Sequence, residues 1–200
     1  MYARLIMLTG VQDIDGAVAY LQETALPALR EQNGYQGVSA AADRSGGLLG
    51  VMSLWASAAD RDASTSALSK LREEARDKLA QDMTVETLDQ LAVEIGRRPE
   101  VGNRVLVTRV SMDPSRVQAN AEAFKSEVAP QVSSAPGFRS LRLLINPETG
   151  EGRVSSIWDD EKSLNAALEA TDKLRTETAS KLGVTLGERI FAEVVFTELK

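Results

Sequence analysis

The chain has 200 residues, with 23 basic and 29 acidic side chains and a formal net charge of −6. This length suits one large domain or two small ones, because domains usually run to about 100–150 residues. Hydrophobic residues make up 43% and charged residues 26% of the chain, as in ordinary soluble globular proteins. Neither half has the basic surplus that a phosphate backbone requires, so we expect no nucleic-acid partner.

The chain contains neither cysteine nor histidine. These absences exclude disulfides, thiolate nucleophiles, zinc–thiolate sites and iron–sulfur clusters, and also histidine-dependent triads and histidine-ligated haem. We therefore expect no metal and no cofactor. No apolar run approaches the ~20 residues of a membrane helix, and the first ten residues lack the features of a signal peptide. We therefore expect a cytoplasmic protein with no membrane partner.

An internal repeat is the most informative feature of the sequence. A constant offset of 103 residues relates Pro27 to Pro130, Gly34 to Gly137 and Trp55 to Trp158. Because the offset stays constant from the first of these pairs to the last, it predicts two copies of one small domain rather than a solenoid. We predict a first unit over 1–96, a linker over 97–102 and a second unit over 103–200.

In the first copy, period-2 and helical patterns predict strand, helix, two strands, helix and strand. The predicted ranges are Tyr2–Thr9, Asp13–Gln32, Tyr35–Ala42, Leu48–Trp55, a helix capped near Ser57 that reaches Leu79, and Val85–Ile95. Asn33-Gly34 is expected to end the first helix, because glycine tolerates the left-handed conformation there.

The second copy predicts the same order of elements. Its predicted strands are Asn103–Met112, Phe138–Asn146, Arg153–Trp158 and Ile190–Leu199. One helix begins at Asp113-Pro114, and the other carries an apolar face from Leu164 to Leu182. Pro27 and Pro130 lie late in the first helix of each copy, where proline is expected to kink or end it.

The order βαββαβ, found twice, is that of the ferredoxin-like unit. Such a unit covers one face of its sheet with helices and leaves the other face to be covered by a second layer. We therefore predict an α+β protein in which two ferredoxin-like units pack their antiparallel sheets into an eight-stranded, dimeric α/β-barrel-like core with outer helices. The two units form an intrachain pseudo-dimer, and further homo-oligomerisation is left open.

These residues resemble the dimeric α/β-barrel superfamily, especially its antibiotic-biosynthesis-monooxygenase-like branch. The marks are Asn33-Gly34-Tyr35 or Pro136-Gly137-Phe138 after the first helix, Leu54-Trp55 or Ile157-Trp158 at the end of the hairpin, and the polar helix start at 159–162. The resemblance implies pairing of two units, here fused in one chain. It also implies activities that include cofactor-independent oxygenation of phenolic or quinol-like compounds and haem degradation.

The haem-degrading branch uses a histidine, a tryptophan and an asparagine that this chain lacks. The histidine position falls near Glu74 and Glu177, and the tryptophan position falls near Ser64 and Ala167. The asparagine position in the first strand of each copy falls on Ile6-Met7 and on Thr108-Arg109, and neither pair contains an asparagine. Haem degradation is therefore not expected.

The cofactor-free branch uses a tryptophan at the end of the third strand, an asparagine four residues earlier and a tyrosine in the next helix. Trp55 and Trp158 match the tryptophan. The other two positions hold Val51 and Val154, and Arg61 and Leu164. One feature of three is thus present in each copy.

Six residues are candidates for a ligand pocket: Trp158, Trp55, Phe138, Tyr35, Arg109 and Arg142. The aromatic residues would stack on an aromatic ligand, or else seal the corner between strand and helix. The two arginines interrupt apolar strands, where a guanidinium recognises a carboxylate or a quinone oxygen. Alternatively, they form structural ion pairs, with Glu193 or Glu198 among the partners, or lie on an exposed edge.

Two hypotheses for function follow. The first is a cofactor-independent monooxygenase-like enzyme that acts on a small aromatic or quinol-like compound and supplies a dry, orienting pocket. The second is a non-catalytic barrel that binds a small apolar ligand or a protein partner. The second copy follows the family pattern more closely, so we favour its pocket.

Overall fold

The computed structural model describes residues 1–199, which divide into two compact units. Unit 1 comprises residues 1–87 and 194–199, and unit 2 comprises residues 88–193. Two long strands, β4 (Asp82–Ile95) and β8 (Thr185–Leu199), contribute residues to both units. The first part of β4 and the last part of β8 thus belong to unit 1.

Unit 1 contains the strand order β4-β1-β3-β2-β8. Its own strands are β1 (Tyr2–Thr9), β2 (Tyr35–Asp43) and β3 (Leu48–Trp55). Its helices are α1 (Ile14–Tyr20), α2 (Leu26–Arg30), α3 (Ala58–Ala67) and α4 (Ser69–Leu79). β3 pairs antiparallel with both β1 and β2.

Unit 2 contains the corresponding order β8-β5-β7-β6-β4. Its own strands are β5 (Arg104–Ser111), β6 (Phe138–Ile145) and β7 (Glu151–Trp158). Its helices are α5 (Val117–Ala123), α6 (Ala129–Ser133) and α7 (Glu161–Leu182). In this unit β5 pairs antiparallel with β7 and β8, and β6 pairs antiparallel with β4 and β7.

The sharing of β4 and β8 closes the hydrogen-bonded order of the eight strands on itself. This confirms the predicted α+β class, with an eight-stranded antiparallel barrel and ferredoxin-like order of elements. The compact units differ from the sequence ranges 1–96 and 103–200, because the last strand of each repeat ends in the other unit. The repeat boundaries stay a prediction, since they describe ancestry and not packing.

The first helical segment of each unit contains a π-helical turn where proline was expected to kink or end the helix. The turns cover Leu21–Ala25 and Phe124–Val128, and a proline follows two residues after each. Proline has no N–H, and its ring clashes with the carbonyl four residues earlier in a regular α-helix. A wider π turn relieves this conflict, so the helices continue to Arg30 and Ser133.

The second helix of unit 1 is interrupted, although the sequence predicted one helix. α3 ends at Ala67 with Leu68 as its C-cap, and the Ser64 and Ser69 hydroxyls donate to carbonyls three residues earlier. Such side-chain bonds compete with helical ones. The Arg72 side chain donates to the Ser64 and Thr65 carbonyls, which lie beside the break. α7 of unit 2 runs unbroken for 22 residues and ends at Gly183 in the left-handed conformation.

Gly150 lies in the β6–β7 turn, where the backbone leaves no room for a side chain. Its φ is +74°, and a Cβ there would lie 1.9 Å from the Met112 carbonyl oxygen. Gly102 has a φ of +94° with open space around the Cβ position. We expect Gly102→Ala to lower the free energy of unfolding by about 1–2 kcal/mol through left-handed strain alone. Gly150→Ala should cost more, because the backbone must also shift. Urea unfolding of both variants measures the difference, and equal losses would contradict this account.

Candidate functional site

Unit 2 encloses a cavity of about 150 Å³ between its sheet and its helices. Strands β5, β6 and β7 form one wall, and α5, the π turn after it, α6 and α7 form the other. The apolar lining includes Leu106, Val110, Phe124, Val128, Leu141, Leu143, Val154, Leu164, Leu168, Leu174 and Leu186. Most of this wall is therefore aliphatic, as ligand pockets commonly are.

A few polar side chains interrupt the apolar wall. Asn120 is 3% exposed, and its Nδ2 donates to the Leu182 carbonyl oxygen at 3.2 Å and to the Met112 sulfur at 3.5 Å. Both bonds use the amide nitrogen, which leaves Oδ1 able to accept. Arg175 donates from Nη2 to Asp172 at 2.8 Å, while its buried Nε has no hydrogen-bond partner among residues 1–199. Asn120 and Arg175 thus add an amide acceptor and a cationic donor to the hydroxyls of Thr108, Ser156, Thr171 and Thr178 in the lining.

Trp158 lies in the cavity wall and is 2% exposed. Its indole Nε1–H donates to the Ser156 hydroxyl at 2.9 Å. Residues two apart on a strand share a face, so this bond runs along the cavity side of β7. The Phe138 ring meets the indole edge-on, with centroids 5.7 Å apart at 76°. Phe138 therefore supports Trp158 without itself lining the cavity.

Asp159 fixes the corner that follows Trp158. Its carboxylate accepts hydrogen bonds from Arg97 and, at 2.6 Å, from Arg139, and its backbone N–H donates to the Gly137 carbonyl at 2.8 Å. The Arg97 hydrogen bond, together with that from Arg139, lowers the pKa of the Asp159 carboxyl below its ordinary value. The ion pairs thus join the residue after β7 to β6 and to the segment after β4, and the backbone bond joins it to the segment that leads into β6.

Unit 1 contains a smaller cavity of about 80 Å³ at the corresponding place. Tyr2 pairs with Trp55 in unit 1 as Arg104 pairs with Trp158 in unit 2, so Arg4 corresponds to Leu106. Arg4 is 2% exposed, and its guanidinium lies 5.9 Å from the centroid of the Trp55 ring. At this register position unit 1 therefore places a guanidinium where unit 2 has an apolar side chain.

Trp55 and Tyr35 lie beside the smaller cavity and outside its lining. Trp55 is fully buried and donates to the Ser53 hydroxyl at 3.1 Å. Tyr35 contacts it edge-on with centroids 6.0 Å apart, and its hydroxyl lies 3.5 Å from Glu198. Burial raises the pKa of Tyr35. Both side chains therefore belong to the packed end of the unit 1 sheet.

Neither arginine predicted from the strands lines a cavity. Arg109 is exposed and lies 3.3 Å from Glu151. The partners suggested by sequence are bound by other residues, since Glu193 pairs with Arg104 at 2.7 Å and Glu198 pairs with Arg30. Arg109 is thus an exposed residue on a strand that is paired on both sides, and its ion-pair partner is Glu151.

Arg142 is 5% exposed and donates to the Gln90 side-chain oxygen. Burial lowers the pKa of its guanidinium to about 10. Its neighbours Leu141 and Leu143 line the cavity, and alternation along a strand places Arg142 on the opposite face of β6. It is therefore separated from the cavity by the sheet itself.

Sequence reasoning missed Asn120, Arg175 and Arg4. Arg175 was visible in the repeat, because it stands 103 residues after Arg72. Arg4 interrupts an apolar strand in the same way as the two arginines that were singled out. Asn120 gave no signal of its own, since it corresponds to Ala17 in the first copy.

Two further properties of the described residues concern metal binding and membrane spans. Within residues 1–199, no cluster of three or more acidic side chains is arranged to hold a metal ion. None of the helices in this part of the chain combines the length and apolar content that a membrane span needs.

A family model and known proteins were compared with the chain. Residues 104–176 match the model of the antibiotic biosynthesis monooxygenase family. An uncharacterised protein of Mycobacterium tuberculosis strain H37Rv is 26% identical over 184 residues, which cover 92% of this chain and 82% of the relative.

Two solved structures share the fold with a TM-score of 0.70. One is described as an anthrone oxidase-like protein, is 13% identical and is aligned over 99% of this chain and 93% of its own. The other is a candidate monooxygenase from Lactobacillus acidophilus, is 14% identical and is aligned over 99% and 96%. These matches confirm the resemblance inferred from the sequence.

The Asp159 ion pairs predict a pH dependence of stability. A carboxyl whose pKa is lowered in the folded state stabilises the fold above the unfolded pKa of about 3.9, and this contribution is lost as the pH falls further. We therefore expect wild-type stability to fall more steeply than that of Asp159→Asn between about pH 5 and pH 3. Urea unfolding across this range measures the slopes.

Asp15→Asn provides a control, because Asp15 pairs with Arg44 on the exposed surface of unit 1. It should leave the indole N–H resonance of Trp158 in place, whereas Asp159→Asn should move it. Identical spectra for the two variants would show that Asp159 does not hold the Trp158 corner.

Proposed function

We propose, on the premise that residues 104–176 form an antibiotic biosynthesis monooxygenase domain, that unit 2 is a cofactor-independent monooxygenase-like enzyme for a small aromatic, quinol-like compound. The observation that carries this proposal is the apolar cavity of unit 2, with Trp158 in its wall and Asn120 and Arg175 as polar contacts. The alignment with an anthrone oxidase-like protein supports the substrate class.

The size of the cavity suits one aromatic ring. An apolar cavity of about 150 Å³ holds a benzene-sized molecule in a protein interior, and the unit 2 cavity has about that volume. A phenolic hydroxyl buried there must find a hydrogen-bond partner. The free Oδ1 of Asn120 can accept from a hydroxyl, and the unpartnered Nε of Arg175 can donate to an oxygen.

The proposed reaction needs only the substrate and O₂. The activated CH₂ group of the reduced substrate becomes a carbonyl, one oxygen atom of O₂ enters that carbonyl, and the other leaves as water with the two hydrogens. The carbon supplies the four electrons that O₂ accepts. No external reductant is consumed.

The protein would act by binding and electrostatics. Apolar walls exclude water from the ring, and the indole of Trp158 provides a flat face against which an aromatic ring stacks. The positive charge of Arg175 favours the phenolate over the phenol, because a fixed cation stabilises charge that develops beside it. The phenolate is the form that gives up electrons to O₂ more readily.

Duplication explains why a second cavity exists. The π turns and the prolines that follow them repeat at the same 103-residue offset as the tryptophans. We infer that one ancestral unit was duplicated in tandem and that the copies diverged at their cavities. A cytoplasmic location and further homo-oligomerisation stay predictions from the sequence.

Binding without catalysis is the second candidate. Among the residues that line the unit 2 cavity, Arg175 is the only charged one, and the lining includes no carboxylate, lysine or tyrosine. An arginine does not serve as a general base. This composition favours a ligand-binding role if the substrate does not lose its own proton readily.

Oxygen consumption with anthrone as the probe, one of whose rings would occupy the cavity, tests the enzymatic proposal. We expect consumption without added reductant, with one O₂ used for each anthrone carbonyl formed. Ala167→Phe should abolish it, because Ala167 is 4% exposed and lines the unit 2 cavity. Ala75→Phe, in the lining of the unit 1 cavity, is the matched control and should retain activity.

Binding is followed separately through the two indole N–H signals of ¹⁵N-labelled protein. Trp158 and Trp55 donate to serines that line the unit 2 and unit 1 cavities respectively. Phenol should shift the Trp158 signal in the wild type and not in Ala167→Phe. Binding without oxygen consumption would favour the second candidate, and the absence of both would overturn the assignment of this cavity.

A further inference from the structure

Arg4 is a buried cation that forms no ion pair with any residue of 1–199. It is 2% exposed, and its guanidinium donates to the Ser64 and Thr65 hydroxyls and to the Arg61 carbonyl. All three partners are neutral, and Nε is buried with no hydrogen-bond partner among residues 1–199. A buried charge is ordinarily paired with an opposite charge, because desolvation of an unpaired ion is costly.

A second arginine adds to the positive charge of the same cavity. Arg72 lines the unit 1 cavity with Arg4, and its guanidinium donates to the backbone carbonyls of Ser64 and Thr65. The nearest carboxylate with an effect on Arg4 is Asp62, which is already paired with Arg61 at 2.9 Å. Burial, with the positive charges of Arg72 and Arg61, lowers the pKa of Arg4 to about 10. The surroundings of Arg4 are thus short of negative charge.

A hydroxyl group completes the polar part of the lining. Tyr20 lines this cavity, and its hydroxyl is buried without a hydrogen-bond partner in the described part of the chain. Burial raises the pKa of Tyr20, so the hydroxyl remains a donor at neutral pH. The cavity therefore offers unpartnered donors from both Arg4 and Tyr20, and both suit an anionic oxygen.

We propose that the unit 1 cavity binds a small carboxylic acid as its anion, with the carboxylate at Arg4 and a short aliphatic tail against the apolar wall. The wall includes Leu8, Leu21, Leu49, Leu68, Leu71 and Leu79. This proposal does not depend on the function proposed for unit 2.

The apolar wall distinguishes a carboxylate from inorganic anions. Phosphate has four oxygens, and few donors line this cavity to satisfy them, whereas a carboxylate has two oxygens and carries a tail that gains from apolar burial. The volume of about 80 Å³, against about 150 Å³ in unit 2, limits the tail to a few carbons. Arg4 is thus the residue that gives the two cavities different ligands.

Titration of ¹⁵N-labelled full-length protein with butyrate tests the proposal. We expect a saturable shift of the Trp55 indole signal, because that N–H donates to Ser53 in the cavity lining. The Trp158 signal should stay in place. Butyramide has the same tail without the charge and should bind at least about tenfold more weakly, since a hydrogen bond to a charged group is worth at least that factor.

Arg4→Leu introduces the residue that unit 2 has at this register and should weaken butyrate binding by at least about tenfold. Arg72→Leu gives an independent test at a half-buried position if Arg4→Leu does not fold, and it should also weaken binding. Arg109→Leu, on the exposed surface of unit 2, should bind like the wild type. The retained dispersion of both indole signals checks the fold of each variant.

Several results would overturn the proposal. They are no shift with butyrate, equal binding of butyramide, equal competition by inorganic phosphate, and unchanged butyrate binding in both Arg4→Leu and Arg72→Leu. A shift of the Trp158 signal alone would place the carboxylate in unit 2 and would equally overturn it. None of these results bears on oxygen consumption at unit 2.

Discussion

Each unit depends on a tryptophan that is fixed at the end of its central hairpin strand. The indole N–H donates to a serine two residues earlier, at 2.9 Å for Trp158 and 3.1 Å for Trp55. A buried indole without such a partner would lose the hydrogen bond that it makes with water in the unfolded chain. Because the bond runs along the cavity face of the strand, it fixes the position of the indole at the end of the cavity wall. The next helix begins a few residues after the tryptophan.

The two units have the same order of strands and helices but different cavities, because a few side chains determine the chemistry of each cavity. At one register position unit 1 has Arg4 and unit 2 has Leu106. The guanidinium brings a positive charge to the cavity of unit 1, whereas leucine keeps that position apolar in unit 2. On the helical side, Ala17 of unit 1 corresponds to Asn120 of unit 2. At these two positions the polar group thus lies on the strand in unit 1 and on the helix in unit 2.

Local patterns predicted most elements, and β1 and β3 have the predicted bounds. They did not predict the π turns. The helix widens before Pro27 and Pro130 because each proline ring would clash with a backbone carbonyl, and a pattern of side chains contains no information about that clash. The break at Leu68 was missed for a similar reason, since its hydroxyl and guanidinium bonds to carbonyls compete with a helix that the apolar spacing favours. Of the candidate site residues, only Trp158 lines a cavity, while Asn120 and Arg175 came from the structure.

The sequence by itself determined the α+β class, the repeated order of elements and the importance of the tryptophan corners, because these follow from periodicity and from a constant offset. Only the tertiary structure decided which side chains meet. The face on which an arginine lies depends on strand register, and this separates Arg4, which lines a cavity, from Arg142, which lies behind the sheet, and from Arg109, which is exposed. The division of β4 and β8 between the units was likewise decided by pairing over long sequence distances, which local pattern does not encode.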